Sequence, residues 1–398
     1  MLGRAGIEGA LALLWHVQAE PAPSDLLFAC AWGHRVARGR LVWYATLSTA
    51  ALLGFIVVDF AQVLYAQEPA RALWFAGVTA YVISLSFLLA SSVRNWEEFA
   101  AIRRYYLAAA LTVAGILLIL GGLRLIGLRG EWESLYYGGR PRGFFKDPNV
   151  AGSFVATAAL AALSSLTFRK NSLVTSAMGL ATTAAAVLVT FSRGALLNLL
   201  VGALVLGFIA LLRRRGARFM ATAAVATVVA VPFLSLALGD FGQAGRFGGL
   251  TAYDIWGRLA AWRSGLAIAR DAPWGIGPGQ FEVLSPHYQR GLSLPELIVT
   301  PSAHNTYLRV LAENGLLGLA ILLLALLSIL RTSVNLALRA SDSMGLATAA
   351  WLCSAWAGLL AQGFTIDALH WRHLWLVAGL ILACRKLEGK RSFEVSLS

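Results

Sequence analysis

The sequence predicts an all-α fold, a polytopic integral membrane helical bundle of about ten to twelve transmembrane helices with one long loop outside the membrane. Three observations carry this expectation. First, 58% of the 398 residues are hydrophobic and only 13% are charged, with a mean hydropathy of +0.68. A soluble domain is about 45–50% apolar and about 25% charged, so a disordered chain, a fibrous chain and a soluble globular enzyme are all excluded. Second, ten segments approach the roughly 20 apolar residues that a membrane crossing needs. Third, basic residues recur in the short loops between them, always on the same side.

The ten segments are 42–66, 70–92, 104–126, 149–168, 172–191, 194–212, 219–239, 306–331, 343–363 and 370–385. Ahead of them, Ala5–Val17 and Leu26–Trp32 are weaker apolar stretches, read as short or partly submerged helices. Glu8 interrupts the first, which argues against a cleavable signal peptide. The basic clusters are Arg35/Arg38/Arg40, Arg94/Arg103/Arg104, Arg169/Lys170, Arg213/Arg214/Arg215/Arg218, Arg331/Arg339 and Arg385/Lys386/Lys390/Arg391. Counting spans puts every cluster on one side, and the positive-inside rule makes that side cytoplasmic. The net charge of +13 therefore reads as membrane orientation, and no nucleic-acid partner is expected. Cys30, Cys353 and Cys384 have no metal or disulfide spacing. No linker or internal repeat divides the chain, so residues 1–398 form a single membrane domain.

The opposite, outer face holds residues 129–148, the tight turn at Ser192–Arg193, and the long segment 240–305. A loop of that length in a compact protein is usually functional. Its bases are almost all arginines: Arg129, Arg140, Arg142, Arg193, Arg246, Arg258, Arg263, Arg270 and Arg290, with Lys146. Arginine offers a rigid fork of donors that matches phosphate oxygens and keeps its charge when desolvated. For most of these residues an interfacial anchor or surface ion pair is the simpler reading. Arg193 differs. In Phe191-Ser192-Arg193-Gly194 it lies between two apolar runs, where a cation is costly unless it faces a wet cavity or an anion.

Within the long loop, the stretch after Asp254 reads as an amphipathic helix with Leu259, Trp262, Leu266 and Ile268 against membrane or bundle. Arg258 and Arg263 lie about 140° apart on it, so only one of them can point straight at a common ligand. Pro273 and the run Gly275, Gly277, Gly279 end the helix in turns. As a phosphate loop that run is a weak signal, because no strand precedes it and no Lys-Ser/Thr follows. His304, at the start of the next span, adjoins Asn305 and Tyr307, which can orient an imidazole. It is the best-placed proton acceptor on this face. No second His or Cys lies at ligand spacing, so no metal is assigned.

Five stretches together resemble the O-antigen ligase/polymerase superfamily. They are Gly143-Phe-Phe-Lys-Asp-Pro-Asn-Val150, Phe191-Ser-Arg-Gly-Ala195, Trp256-Gly-Arg-Leu-Ala-Ala-Trp-Arg263, Asp271-Ala-Pro-Trp-Gly-Ile-Gly-Pro-Gly-Gln-Phe281 and Ala303-His-Asn-Thr-Tyr-Leu-Arg-Val-Leu-Ala-Glu-Asn-Gly-Leu-Leu-Gly318. The resemblance runs from about residue 40 to the end; the N-terminus, where such proteins open with two clear spans, departs from it. It implies a multi-pass glycosyltransferase of the bacterial inner membrane, with its site on the periplasmic side and residues 240–305 as a periplasmic loop. The donor would be a glycan on undecaprenyl diphosphate. The acceptor would be lipid A–core oligosaccharide in a ligase, or another lipid-linked repeat unit in a polymerase, of which ligase-type transfer is the favoured reading. No nucleotide sugar, cofactor or metal is implied.

The resemblance places the essential arginines on Arg193 and on Arg258 or Arg263, and the essential histidine on His304. Arg193 and Arg258 would neutralise the lipid diphosphate as it leaves, and His304 would deprotonate the acceptor hydroxyl, with Asp254 as the substitute base. Around them Arg263, Asn305, Tyr307, Arg142, Lys146 and Trp262 are assigned to substrate binding. A lipid or anion transporter is the competing class. It would have helices broken at the bilayer midplane and inverted repeats, and the sequence shows no sign of either.

Overall fold

The computed structural model describes residues 2–18, 21–39, 46–128, 130–169, 173–220, 256–292, 294 and 298–397. Its helices are α1 (Leu2–Ala12), α2 (Pro23–Ala37), α3 (Leu47–Ala61, prolonged by the 3-10 turn Gln62–Tyr65), α4 (Pro69–Ser92), α5 (Trp96–Leu125), α6 (Pro148–Phe168), α7 (Leu173–Val189), α8 (Arg193–Leu212), α9 (Arg258–Asp271), α10 (Phe281–Arg290), α11 (Thr306–Arg339), α12 (Ser343–Gln362) and α13 (Arg372–Leu397). The described strands are two short ones, β1 (Tyr136–Tyr137) and β2 (Arg140–Pro141), paired antiparallel between α5 and α6. Among the described residues seven helices are long and apolar enough to cross a membrane: α3 with its turn, α4, α5, α6, α8, α11 and α12. The protein is a multi-pass, all-α membrane protein, as its sequence predicts. The expected span 219–239 falls, beyond Met220, outside the described residues. So do Arg40, Arg129, Lys170, Asp240, Arg246, Asp254 and Glu296.

The two weak apolar stretches at the N-terminus form α1 and α2, which pack antiparallel. A Cβ on Gly9 would lie 3.3 Å from Leu27, and one on Gly6 3.5 Å from the Ala31 Cβ. At 11 and 15 residues these helices are about 17 and 23 Å long, short of the roughly 30 Å hydrocarbon core.

Small residues draw the centre of the bundle together, as membrane helix interfaces favour. On Gly202 a Cβ would collide with Leu160 and the Ser354 carbonyl. On Gly358 it would collide with Asn198. These two glycines set the close approach of α8 to α12, with α6 buried beside them.

The basic clusters do share one end. Arg35 donates to the Ser91 carbonyl at 2.7 Å and Lys386 to the Ala90 carbonyl. Arg103 reaches Thr348 at 3.0 Å, Arg213 the carbonyls of Leu338 and Ala340, and Arg218 the Arg169 carbonyl. The ends of α2, α4, α6, α8 and α11, the start of α12 and the middle of α13 therefore lie at one end of the bundle, stitched mostly by cations to helix-terminal carbonyls.

One expectation fails. The Glu-Asn-Gly block read as part of a continuous span, yet α11 is broken at Gly315 (φ 68°, ψ −171°). Such angles are open to glycine alone. The break lies toward the end opposite the basic clusters, and the Gly-rich loop after α9 wraps it. Ile276 N donates to the Ala312 carbonyl (3.1 Å), Gly277 N to the Glu313 carbonyl (2.9 Å), and Leu316 N to the Pro273 carbonyl (3.1 Å). The backbone groups freed by the break are thus satisfied inside the protein, the condition under which a membrane helix tolerates interruption. Gly275, Gly277 and Gly279 all have positive φ (101°, 97° and 69°). A Cβ there would run into the α11 backbone, the end of α3 and Phe75 of α4, respectively.

The arrangement places Ala217, beside the basic clusters, and Arg290, at the end of α10, at opposite ends of the bundle. Both are exposed. In sealed vesicles of a Cys30→Ser background, an impermeant thiol reagent is expected to label A217C and R290C from opposite sides. Labelling of both from one side contradicts the layout.

Candidate active site

The end opposite the basic clusters gathers the expected site residues, and each is held by its local chain. Arg193 opens α8. The preceding turn is strained, with Phe191 at φ 51°, and is clamped from outside. Arg140 is buried, donating to the Thr190 carbonyl (2.9 Å) and to Asn149 Oδ1 (3.0 Å). Ser192 Oγ donates to the same Asn149 oxygen (2.7 Å) and accepts from Ala195 N (3.1 Å), capping the helix. Arg193 therefore sits half-buried at a helix N-terminus, where backbone amides and the helix dipole already favour an anion.

Helix α9 packs through a face of small residues, Ala260, Ala261, Ser264 and Gly265, with Ile268. Of the four residues expected on its apolar side, Ile268 is buried, Leu259 is half-buried, and Trp262 and Leu266 face outward. Arg258 turns into the bundle, its Nη1 donating to the Thr365 carbonyl at 2.9 Å. Arg263 is exposed. The 140° separation thus resolves into one inward and one outward arginine.

Beyond α10, Gln289 binds both the N–H and the carbonyl of Thr300 (2.8 and 2.7 Å), strapping the chain that leads to His304. His304 is half-buried with φ 48°, a conformation histidine adopts more readily than most residues. Asn305 caps α11, its Oδ1 accepting from Tyr307 N and Leu308 N at 3.0 Å each. Tyr307 donates to the Leu360 carbonyl at 2.7 Å, and its ring lies tilted against Phe364 with centroids 4.4 Å apart. Both side chains hold the local frame of His304. Arg142 likewise closes its own loop, donating to the carbonyls of Lys146 (3.1 Å) and Ser134 (3.0 Å), while Lys146 itself is exposed.

These segments meet on the connection between α12 and α13, residues 363–371. Besides the Arg258–Thr365 bond, Thr306 N donates to the Gly363 carbonyl (2.8 Å) and Thr306 Oγ1 to the Ile366 carbonyl (3.1 Å). A Cβ on Gly194, next to Arg193, would lie 3.2 Å from both Gln362 Nε2 and Thr365 Oγ1. Arg258, the neighbour of Arg193 and a residue two beyond His304 thus contact one short turn. Chemically, the arrangement offers two cations able to grip an anion and an imidazole able to accept a proton. Among the described residues no three His, Cys, Asp or Glu side chains converge as metal ligands.

Sequence reasoning missed an ion network next to this turn. Arg309, only 6% exposed, pairs with Glu313 (3.2 Å), Asp367 and, more distantly, Glu282 (3.7 Å). Arg71 pairs with Glu282 and donates to the Gly279 carbonyl (2.8 Å). Both guanidinium groups stand 5.2 Å from the Phe75 ring centroid. Glu313 Oε1 accepts from Phe281 N (3.0 Å), and Asn314 donates to the buried Asp59 (2.6 Å). Burial pushes the Asp367 carboxyl up, but Arg309 and then His370 outweigh it and hold the group below the usual carboxylate range. The signal was available: Arg309 and Glu313, four apart inside an apparent span, are too costly to leave unpaired.

Residues 178–323 match the family model described as O-Antigen ligase. The matched stretch includes Arg193, Arg258, Arg263, His304, Asn305 and Tyr307, and ends just past the break in α11. Arg142, Lys146 and the 363–371 turn lie outside it. No curated protein matches the chain.

Breaking a buried ion pair from one side strands the other charge, at a cost of about 3–5 kcal/mol. Arg309→Met is therefore expected to lower the unfolding midpoint of the solubilised protein sharply, and exposed Arg263→Ala to leave it unchanged. Equal stability of the two variants would show that the network does not hold this end together.

Proposed function

We propose, on the premise that the chain belongs through its O-antigen ligase domain at residues 178–323 to the O-antigen ligase/polymerase superfamily, that it transfers a glycan from undecaprenyl diphosphate to a hydroxyl of lipid A–core oligosaccharide. In this reading the protein lies in the bacterial inner membrane, with the basic end in the cytoplasm and residues 240–305 as a periplasmic loop carrying much of the site. The observation that supports it best is the shared turn: Arg258, the segment headed by Arg193 and the helix that His304 precedes all contact residues 362–366.

The chemistry follows from those groups. Arg193 and Arg258 grip the diphosphate, Arg193 from a helix N-terminus that adds its own partial positive charge. The acceptor oxygen forms a bond to the anomeric carbon while the bond from that carbon to the diphosphate oxygen breaks. The electron pair leaves on the diphosphate, where the arginines neutralise it. The acceptor's proton passes to His304, which must be neutral to receive it. Attack opposite the leaving group inverts the anomeric centre. Asn305 and Tyr307 contribute by fixing the backbone on either side of Thr306; Arg142 and Lys146 border the same face from the 129–148 loop. Exposed Arg263 and Trp262 are placed for the substrate's outer parts or for lipid.

Purified protein with lipid-linked donor tests the assignment. His304→Ala is expected to lower the transfer rate about 10²–10⁴-fold with expression and donor binding retained, and His304→Gln not to restore it. Arg193→Lys keeps the charge but loses the fork and is expected to be strongly impaired. The wild-type rate should fall as pH drops through the imidazole range, because protonation removes the base. The same acidic limb in the residual activity of His304→Gln would exclude His304 as that base. In cells, loss of all long glycan from lipid A–core, with polymer left on the carrier lipid, is the expected phenotype of gene deletion. A single repeat unit still attached to the core would instead indicate a polymerase.

A further inference from the structure

The 363–371 connection continues into a cavity that the donor chemistry does not use. About 270 Å³ in volume, it is lined by residues 370–373 together with side chains of α4, α6, α10 and α11 and of the 145–150 stretch; Arg193, Arg258 and His304 are not among its lining residues. At that size it lies near the lower end of small-molecule sites, about 300–1,000 Å³, which suits a single ring better than a chain.

Its walls are of two kinds. One is aromatic: Trp74, Phe75, Phe145 and Trp371. Trp74, near the start of the membrane-crossing helix α4, is 64% exposed. The other is polar, formed by Lys146, Glu282, Arg309, His370, Arg372 and His373. Glu282, Arg309 and Arg372 already face their opposites. Arg309 has Glu313 and Asp367, Glu282 has Arg71, and Arg372 grips Asp25 through two bonds of 2.6 and 2.5 Å. These three matched charges attract an anion weakly, yet they present donors and acceptors in fixed positions. One donor is unsatisfied: Arg309 Nη2 is buried and has no hydrogen-bond partner among the described residues. A buried donor without an acceptor is unfavourable, and because Arg309 lines the cavity, a ligand oxygen that reaches Nη2 removes that cost. Flat apolar rings beside fixed polar groups match a pyranose, which has an apolar face and a rim of hydroxyls.

We propose that this cavity is a subsite for one uncharged pyranose ring of the glycan substrates, held against Trp74 and hydrogen-bonded by Arg309 and Glu282. The proposal rests on the glycosyl-transfer reading above. It assigns sugar recognition to residues outside the diphosphate grip, and the ring belongs to either donor or acceptor.

Saturation-transfer NMR on the full-length solubilised protein, with methyl β-glucopyranoside as probe, reads binding without requiring transfer. Its failure is therefore distinct from failure of the reaction assigned to His304 and Arg193. The expected result is saturation of the probe's ring protons that persists in excess inorganic pyrophosphate and in Arg258→Ala. Trp74→Ala should weaken binding about tenfold, the scale of losing an aromatic anchor. No saturation, an unchanged signal in Trp74→Ala, or full displacement by pyrophosphate would overturn the subsite. Transfer kinetics of Trp74→Ala then identify the source. A raised KM for the lipid-linked donor places the ring in the donor glycan, a raised KM for the acceptor places it in the acceptor, and no change in either overturns the proposal.

Discussion

A helix cannot be interrupted within a membrane protein unless the backbone groups it frees find partners in the protein, and the end of the bundle opposite the basic clusters is organised around that requirement. Gly315 breaks α11, and the loop at 273–277 supplies the missing bonds to Ala312, Glu313 and Leu316. Three further consequences follow. The loop is fixed to α11, so α9 and Arg258 have a defined position. Gly277 and Gly279 bring the same loop against the end of α3 and against Phe75 of α4. The short outer segment of α11 carries Arg309 and Glu313 to the centre of the ion network. What resembled a phosphate-binding glycine run is a splice across a broken helix.

The connection at residues 363–371 divides the chemistry of this end. Its first half accepts Arg258 and Thr306 through main-chain carbonyls. Its second half carries Asp367 to Arg309 and His370 to within 3.0 Å of Thr79 Oγ1. Below it a buried polar chain ties α6, α8, α12 and α13 together: His373 lies 3.1 Å from Ser153 Oγ, and Ser153 and Asn198 both donate to Gln362 Oε1. These bonds link the four helices, while Asn198 Oδ1 and Gln362 Nε2 stay without a partner among the described residues. The bonds anchor the turn that Arg258 and Thr306 contact.

Much of this was legible in the chain because the relevant signals are local. Apolar runs and interleaved cations gave the spans and their common basic end. The five-residue spacing of Arg258 and Arg263 meant that only one could face inward. Asn305 before a helical run is the signature of a cap, and the glycines after α9 marked turns. The rest depended on contacts far apart in sequence. Glu313-Asn314-Gly315 reads as helix until the 273–277 loop is seen beside it. Arg309 looks like one polar residue in a span until Asp367, 58 positions on, and Glu282, 27 positions back, are placed against it. The two N-terminal stretches were ambiguous for a physical reason, since helices of 11 and 15 residues are too short to announce themselves by hydropathy.

The central claim is that the anion grip at this end is built from Arg193 and Arg258 around the 363–371 turn. Its most direct test is a cryo-electron microscopy structure of the full-length protein in a lipid nanodisc with polyprenyl-diphosphate-linked glycan. Diphosphate density is expected in contact with both Arg193 and Arg258 and within reach of His304. Density for the diphosphate at the basic end, beside Arg213–Arg218, or on exposed Arg263 without Arg258, would contradict it.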